Sequence, residues 1–323
     1  GGNCYDFFDE SGVLIHKYGP HYFRTNYPEV RKYLSQFTDW TPQKYFVKSS
    51  INKKLFSFPI NRNTLNQFFD VSLKTTKDCQ EFLDTKKENI PAPKNAEEQI
   101  LATIGPELYE AFFKNYTSKQ WGIDAKDLAP SVTARIPIRF NDDESYFNDS
   151  FQAMPKHGYT KMFQKMLAGV PILLNTDFKF ATEHIKYKKL IFTGPIDEFF
   201  NYQFGRLPYR SLRFSFHTYK KEFYQKWGQI NYPNEMKYTR VVEIKHVTKQ
   251  VSPFTTISKE YPRAKGEPFY PIPNQANQDI YLKYKKLSEK IDNIYFIGRL
   301  AEYKYLNMDQ VVKKSLDLFK SLK

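Results

Sequence analysis

Cysteine is scarce in this sequence, which contains only Cys4 and Cys79 among its 323 residues. Two cysteines form at most one disulfide, and the sequence shows no cluster of metal-ligating residues. This usage argues against a disulfide-stabilised secreted domain and against a zinc site, and it is typical of a reducing compartment. We therefore expect a cytoplasmic protein without a bound metal.

Long apolar runs are also lacking. No run approaches the roughly 18 residues that span a bilayer, and no signal-peptide pattern is present. We therefore expect no membrane insertion.

Glycine is sparse as well, with 13 residues. No strand followed by a glycine-rich turn and a helix occurs anywhere, although such a unit normally holds the pyrophosphate of a dinucleotide. The chain opens with GGN, without a methionine or a preceding strand.

Acidic residues are outnumbered, because the sequence contains 35 Asp and Glu but 49 Lys and Arg, which gives a net charge of +14. The basic residues are scattered and form no dense block, which argues against a nucleic-acid partner. A field of this sign also attracts a doubly charged nucleotide sugar.

Aromatic residues are abundant, with 29 Phe and 24 Tyr, and they indicate a folded protein. The length predicts two or three subdomains. The most informative stretch begins as an amphipathic helix after Asn95, which forms a capping-box pattern with Glu98. Phe113, Tyr116 and Trp121 follow, interleaved with polar residues. Such rings suit a flat heteroaromatic ligand, or they fill core beneath a loop.

A longer pattern surrounds these rings. GPELYEAFFKNYTSKQWG (105–122), ARIPIRFN (134–141) and YFNDSFQAMPKHGYT (146–160) resemble the UDP-galactopyranose mutase family. The resemblance extends over nearly the whole chain, in the family's order, through HKYGPHYFRTN (16–26), FPINRNTLNQFF (58–69), GPIDEFFNYQFGRLPYRSL (194–212), INYPNEMKYTR (230–240), SKEYPRA (258–264) and IGRLAEYKYLNMDQ (297–310).

The resemblance implies a mixed α/β fold with three parts. A partial doubly wound FAD-binding domain is expected from residues 1–22, 152–206 and 272–323, and a small helical substrate-binding subdomain from 62–130. An antiparallel-sheet substrate domain is expected from 23–61, 131–151 and 207–271. In the family, GGN lies just after the N-terminal βαβ unit, so the chain is expected to lack that glycine-rich FAD-binding segment.

The resemblance also implies a function. The family is a flavin-dependent isomerase that interconverts UDP-galactopyranose and UDP-galactofuranose through a reduced-flavin N5–sugar adduct, for cell-surface polysaccharide synthesis. The expected cofactor is FAD, reduced by NAD(P)H or dithionite, in a cytoplasmic homodimer. The alternatives are a non-catalytic UDP-sugar-binding protein, a related flavin oxidoreductase, and a mutase acting on a modified UDP-galactose.

The resemblance carries over three sets of site residues. Planar guanidinium groups pair bidentately with a diphosphate, which suits the two arginines in the first set. The catalytic set is Arg135, Arg240 and His21. The substrate-binding set is Asn61, Phe112, Phe113, Tyr116, Thr117, Trp121, Tyr146, Asn231, Glu260, Tyr270, Tyr305 and Asn307. The cofactor-binding set is Gly2, Asn3, His21, Arg206, Gly298, Arg299, Tyr305 and Met308.

Two positions depart from the family pattern, because Arg24 replaces a usual His and Asn307 a usual Asp. Asn61 either faces the substrate, as in the family, or simply caps the helix from Thr64.

Local patterns predict several elements. Alternation favours a hairpin over 45–60 with its turn near Asn52, and a strand-like run that contains Arg135 and Arg139. Residues 188–194 and the run NIYFIG (293–298) read as buried strands, and Pro28 begins a helix. The last helix should start near Met308, and the resemblance implies that its N-terminus would stabilise the anionic reduced flavin.

Overall fold

The computed structural model describes residues 1–322 and confirms the mixed α/β class. Its strands are β1 Asp6–Phe8, β2 Leu14–His16, β3 Phe23–Thr25, β4 Trp40–Pro42, β5 Val47–Ile51, β6 Lys54–Phe58, β7 Phe151–Pro155, β8 Leu190–Phe192, β9 Tyr209–Tyr219, β10 Gln229–Asn231, β11 Arg240–Val242, β12 Thr255–Arg263, β13 Tyr270–Pro271 and β14 Ile294–Phe296.

Helices connect these strands and cover their faces. They are α1 Pro28–Leu34, α2 Arg62–Phe69, α3 Thr76–Asp84, α4 Ala96–Ile104, α5 Pro106–Leu108, α6 Asn115–Trp121, α7 Ser131–Ala134, α8 Tyr159–Met166, α9 Phe178–His184, α10 Ile196–Phe199, α11 Lys245–Thr248, α12 Gln275–Ser288 and α13 Met308–Ser321.

The largest sheet has seven strands in the order β13-β9-β12-β11-β10-β5-β6. Adjacent strands of this sheet run antiparallel, except for the parallel pair β10 and β5. The register places Arg240 on β11 directly opposite Glu260 on β12 and opposite Asn231 on β10. Directly opposed residues share a face of the sheet, so this register brings three polar side chains together.

The predicted hairpin over 45–60 is confirmed as β5 and β6. Its turn uses Asn52 and Lys53, whose φ angles of 49° and 65° are both in the left-handed region. Two such residues in a row match the twist of a tight hairpin, and Asn tolerates that conformation better than most residues.

The helix after Asn95 starts as predicted, since the Asn95 side chain accepts a hydrogen bond from the Glu98 amide at 2.9 Å. The helix then breaks at Gly105, which the periodicity did not predict. Gly105 has a φ of +83°, and a Cβ there would lie 2.1 Å from the carbonyl oxygen of Lys86. Only glycine fits at this break, and Pro106 begins the next short helix, after which a π-helical turn over 109–114 follows α5.

The helical segment packs its apolar residues into the main core, where Ile100, Ile104, Leu108 and Phe112 are all buried. The same core reaches the main sheet through Phe56 and Phe58 on β6. The sheet and the helical segment are therefore held in fixed relation by shared apolar burial.

Three expectations about strands were wrong, and the burial of β14 is one of them, since Ile294, Tyr295 and Phe296 are only half-buried. Arg135 follows the short helix α7, and neither it nor Arg139 lies in a strand. The Ile191 side chain in β8 is 52% exposed, so the predicted burial fails there. β8 pairs only with β14, in parallel, among the residues that the structure describes. A parallel pair of strands that nothing covers on one face leaves alternate side chains exposed.

Arg240 lies on β11, which ends at Val242 and is followed by a helix. The reason lies in two buried charged residues. The Glu243 carboxylate accepts hydrogen bonds from the amides of Tyr224 and Gln225. The Lys245 ammonium donates to three backbone carbonyls, those of Glu222, Ser252 and Phe254. These contacts fasten the neighbouring loops and compensate the burial of both charges.

Within residues 1–322, no helix is both long and apolar enough to cross a membrane. The same residues contain no group of three or more His, Cys, Asp or Glu side chains placed to hold a metal ion. Cys4 and Cys79 are both free thiols.

Candidate ligand-binding site

The site is built around the ion pair of Arg240 and Glu260. Arg240 Nε lies 2.7 Å from a carboxylate oxygen of Glu260, whose side chain is fully buried. Burial raises the pKa of Glu260, and the Arg240 charge opposes that shift. Burial also opposes ionisation of Arg240, but Glu260 and nearby tyrosines raise the Arg240 pKa well above its ordinary value. The guanidinium is therefore held in place through one edge, and its other N–H groups can meet an anion.

A cluster of aromatic rings and arginine side chains lies beside this pair. The rings of Tyr270 and Tyr305 stack with centroids 6.1 Å apart, and Trp121 meets Tyr270 edge-on at 6.3 Å. The guanidinium carbons of Arg135 and Arg299 lie 4.8 and 4.5 Å from the centre of the Tyr305 ring. Such contacts orient both guanidinium groups through cation–π attraction.

The charges alter the chemistry of the tyrosine hydroxyls. Desolvation acts to raise the pKa of Tyr305, but Arg135 and Arg299 outweigh it and lower that pKa below its ordinary value. Burial raises the pKa of Tyr146, and Arg135 and Arg240 oppose this shift. The two predicted catalytic arginines are thus both near enough to Tyr146 for their charges to act on its hydroxyl. They approach from different elements, one from the end of α7 and one from the main sheet.

The helical segment contributes two kinds of residue. Phe112 and Phe113 are buried and contact Phe56 and Phe58, each at 5.7 Å between ring centroids. These contacts match the alternative in which the rings fill core, and a ligand role for the two phenylalanines stays a prediction. Tyr116 differs, because its hydroxyl interacts electrostatically with Arg240 and burial raises its pKa to about 12. Tyr116 and Trp121 thus line the site, and Thr117 is buried between them.

His21 is positioned by backbone contacts. Its Nδ1 lies 2.9 Å from the Gly19 carbonyl, and its amide donates to His16 Nδ1 at 3.1 Å. Burial, followed by the neighbouring His16 and then by the charges of Arg299 and Arg240, lowers the pKa of His21 to about 3. The ring is therefore neutral at physiological pH. Since a carbonyl only accepts, Nδ1 carries the proton and Nε2 remains an acceptor.

Residues from both ends of the chain meet beside α13. The Cys4 sulfur lies 3.5 Å from the sulfur of Met308, which brings the turn with Gly2 and Asn3 next to the helix N-terminus. Asn307 precedes the helix as predicted, and its backbone amide donates to the Gln310 side-chain oxygen at 2.9 Å. Arg299 donates to the Leu306 carbonyl at 2.7 Å, which fixes the loop before α13.

Two other predicted site residues, Asn61 and Arg206, make their contacts with neighbouring protein groups. Asn61 is fully buried, and its side chain accepts from the Thr64 amide at 2.9 Å and donates to the Asp143 carbonyl at 3.2 Å. The capping alternative thus accounts for its contacts. Arg206 is exposed and lies over the Tyr202 ring at 3.8 Å, so the structure does not bring it into the cluster. The ligand roles of both residues stay predictions.

Sequence reasoning did not single out Tyr22, Tyr45 and Gln229, although the structure places them next to the predicted residues. Tyr45 contacts Tyr146 at 5.7 Å and stacks on Tyr22. Gln229 lies two residues before Asn231 on β10. The period of two along a strand could have indicated Gln229, because it shares a face with Asn231.

Arg24, which replaces the family's usual histidine, pairs with Asp149 at 2.7 Å and lies 4.3 Å from the Phe147 ring. Its charge is therefore matched within the protein and its plane is held by the ring.

Arginines and tyrosines gathered between the main sheet and a helical segment form a site whose charges and rings suit an anionic, ring-containing ligand. Comparisons with known proteins agree. The model of the family "UDP-galactopyranose mutase" matches residues 111–305. The probable UDP-galactopyranose mutase of Klebsiella pneumoniae is 40% identical over 323 residues, which cover 98% of this chain and 84% of that protein.

The dTDP-fucopyranose mutase of Escherichia coli is 35% identical, over 98% of this chain and 88% of that protein. A crystal structure of reduced UDP-galactopyranose mutase superposes with a TM-score of 0.81, at 16% identity, over 100% of this chain and 88% of that one. At that identity the likeness shows the fold. The sequence matches show that the chain belongs to the UDP-galactopyranose mutase family, whose members are isomerases.

Proposed function

We propose that this chain interconverts UDP-galactopyranose and UDP-galactofuranose with the help of FAD. The observation that carries the proposal is the placement of Arg135 against the Tyr305 ring at 4.8 Å, beside the Tyr270–Tyr305 stack, with Arg240 held by Glu260 close enough for both charges to act on Tyr146. A diphosphate needs two positive groups on separate sides, and guanidinium groups bind it better than ammonium groups do. Tyr116 and Trp121 supply rings against which uracil can stack.

The residues beside α13 fit a flavin ring. Gly298 has a φ of +98°, and no atom lies within 4 Å of the place where its Cβ would be. The first N–H groups of α13, from Met308 onward, have no carbonyl partner within the helix, and together they favour negative charge. Gly298, Arg299 and Met308 would therefore hold the flavin, with His21 at its edge. When bound, reduced FAD supplies an electron-rich nitrogen that can attack the anomeric carbon.

The side chains of this protein then act on UDP. As the bond between the sugar and UDP breaks, negative charge develops on the diphosphate, and Arg135 and Arg240 are placed to stabilise it. Tyr305 donates more readily than an ordinary tyrosine, because its pKa is lowered. The same groups keep UDP in place until it adds back, so the reaction needs no protein nucleophile and no net oxidation.

Glu260 contributes an acceptor. Its second carboxylate oxygen is buried and has no hydrogen-bond partner within residues 1–322. A ligand hydroxyl is the group that such an oxygen would bind. We also propose that the reduced state is supplied from outside, by NAD(P)H or, in the laboratory, by dithionite.

The experiment is a turnover assay with UDP-galactofuranose and FAD, with and without dithionite. We expect conversion only under reducing conditions, and we expect Arg135→Ala to lower turnover by about a hundredfold or more, a loss typical of removed electrostatic stabilisation, while flavin stays bound. Arg263→Ala, at an exposed position at the end of β12, serves as the matched control and should retain the full rate. Turnover of dTDP-fucose derivatives but not of UDP-galactofuranose would contradict the proposed substrate.

A further inference from the structure

A chain of hydrogen bonds leads to Asn231 from outside the site. The Tyr45 hydroxyl donates to the Gln229 side-chain oxygen, and Gln229 Nε2 donates to Asn231 Oδ1 at 2.8 Å. All three side chains are at least 95% buried. Within a sheet interior such bonds have no water to compete with them, so their direction is well defined.

These hydrogen bonds determine the orientation of the side-chain amides of Gln229 and Asn231. The Gln229 oxygen is taken up by a hydroxyl donor, so the amide nitrogen must face Asn231. The Asn231 oxygen accepts from that nitrogen, which leaves Asn231 Nδ2 as the free end of its amide. Asn231 Nδ2 forms no hydrogen bond with any residue in the described range 1–322.

We infer that Gln229 is a positioning residue that orients the Asn231 amide to donate to an oxygen of the bound UDP diphosphate. The inference rests on the proposed function, since it concerns the ligand of the same site. Asn231 lies directly opposite Arg240 in the register, so its free N–H groups and those of the guanidinium share one face. Two donors side by side suit an anionic oxygen, whereas a reversed amide would present its oxygen and repel that anion.

Tyr45 is itself held firmly, which gives the chain a fixed starting point. Its ring stacks on Tyr22 with centroids 3.5 Å apart and contacts Phe147 at 5.8 Å. Burial raises its pKa well above the ordinary value, so its hydroxyl keeps its proton and acts as a donor.

The test is a double-mutant cycle with UDP itself as the probe, measured by calorimetry on the full chain without flavin. Gln229→Met keeps the side-chain length but cannot orient the amide, and we expect UDP affinity to fall about tenfold, the scale of one charge-assisted hydrogen bond. In an Asn231→Ala background the same substitution should change the affinity by less than about twofold, because Gln229 acts through Asn231.

A second measurement separates positioning from a purely structural role. In the reduced enzyme, Gln229→Met should raise KM with little change in kcat, because the donor contacts the ligand throughout the reaction. Loss of kcat together with a lower melting temperature would overturn the inference, and so would an unchanged UDP affinity in Gln229→Met. If the unmodified chain failed to bind UDP, the proposed function itself would fall.

Discussion

At the scale of single residues, the most constrained group is the Glu260 carboxylate. It is fully buried, and its only ionic partner within residues 1–322 is Arg240 at 2.7 Å. The pair therefore serves the ligand and the fold together. A buried carboxylate that loses its partner is costly, because the desolvation penalty is then no longer offset.

This arrangement predicts the stability of Arg240→Ala. We expect a loss of roughly 3 kcal/mol, the scale found when a buried pair loses one partner. Glu260→Gln added to Arg240→Ala should restore much of this loss, since a neutral amide avoids the penalty. The measurement is urea unfolding of both variants and the unmodified chain.

The pH dependence of the same variant follows from linkage. Burial already raises the pKa of Glu260, and removing Arg240 raises it further. The folded state then binds more protons than the unfolded state above the ordinary pKa, so stability falls as pH rises. Arg240→Ala should thus lose more stability at pH 8 than at pH 5, and Arg240→Ala/Glu260→Gln should not. Equal losses at both values would contradict this account of the pair.

The sequence carried the identity of Arg240, Glu260 and Tyr305 through family motifs, because these residues lie in recognisable segments. It could not indicate the hydrogen bond between the side chains of Tyr45 and Gln229. Those residues meet across 184 positions of the chain, and only the parallel pairing of β10 and β5 places them together. Long-range pairing of this kind leaves no local pattern.

At the scale of elements, the segment 135–146 carries both Arg135 and Tyr146 and is held at its middle and at its end. In the middle, the Arg139 amide donates to the Ile60 carbonyl at 3.0 Å, and the Asn141 carbonyl accepts from the Arg62 amide at 2.9 Å. The Tyr146 amide donates to the Tyr45 carbonyl at 2.7 Å. The Glu144 carboxylate pairs with Lys48 on β5 at 2.9 Å and also binds the Ser57 hydroxyl. Lys48 is buried and lies 4.3 Å from the Trp227 ring, and Glu144 is the carboxylate that offsets its positive charge.

We therefore expect Glu144→Ala to loosen this segment. It should lower the free energy of unfolding by about 1–3 kcal/mol, because Lys48 keeps its charge in a buried place without a carboxylate. It should also raise KM more than it lowers kcat, since Tyr146 is less well placed. Urea unfolding and limited proteolysis within 135–146 measure the two effects.

Asp142→Ala provides the matched control. Asp142 is two residues away and pairs with Arg62 at 3.1 Å, but its side chain is 67% exposed. Exposed pairs contribute little, so this variant should behave like the unmodified chain. A Glu144→Ala variant that resists protease as well as the Asp142→Ala control would show that the ion pair does not anchor the segment.

Elements with local signals were predicted well. The β5–β6 hairpin, the start of α1 at Pro28 and the start of α13 at Met308 all follow from turn residues or caps next to apolar periodicity. The break at Gly105 was missed although the Gly105–Pro106 pair is a local signal for it, because the apolar periodicity continues across the break. The strand expected around Arg135 was wrong, since alternation alone does not supply a partner strand.

At the scale of the whole molecule, a chain with a net charge of +14 presents a field that favours anions. The fold directs that preference to one place by bringing α7, the main sheet and the loop before α13 together. The predicted division into three domains, and the homodimer, stay predictions.

The central claim is that flavin and UDP bind side by side in this site. The most direct measurement is the visible absorption spectrum of the chain after incubation with FAD and removal of free cofactor, recorded before and after addition of UDP. We predict a protein-bound flavin spectrum that bleaches with dithionite and shifts with UDP in the unmodified chain, with a weaker UDP response in Arg240→Lys. UDP that binds by calorimetry while the chain takes up no flavin, or a bound flavin whose spectrum ignores UDP, would contradict the claim.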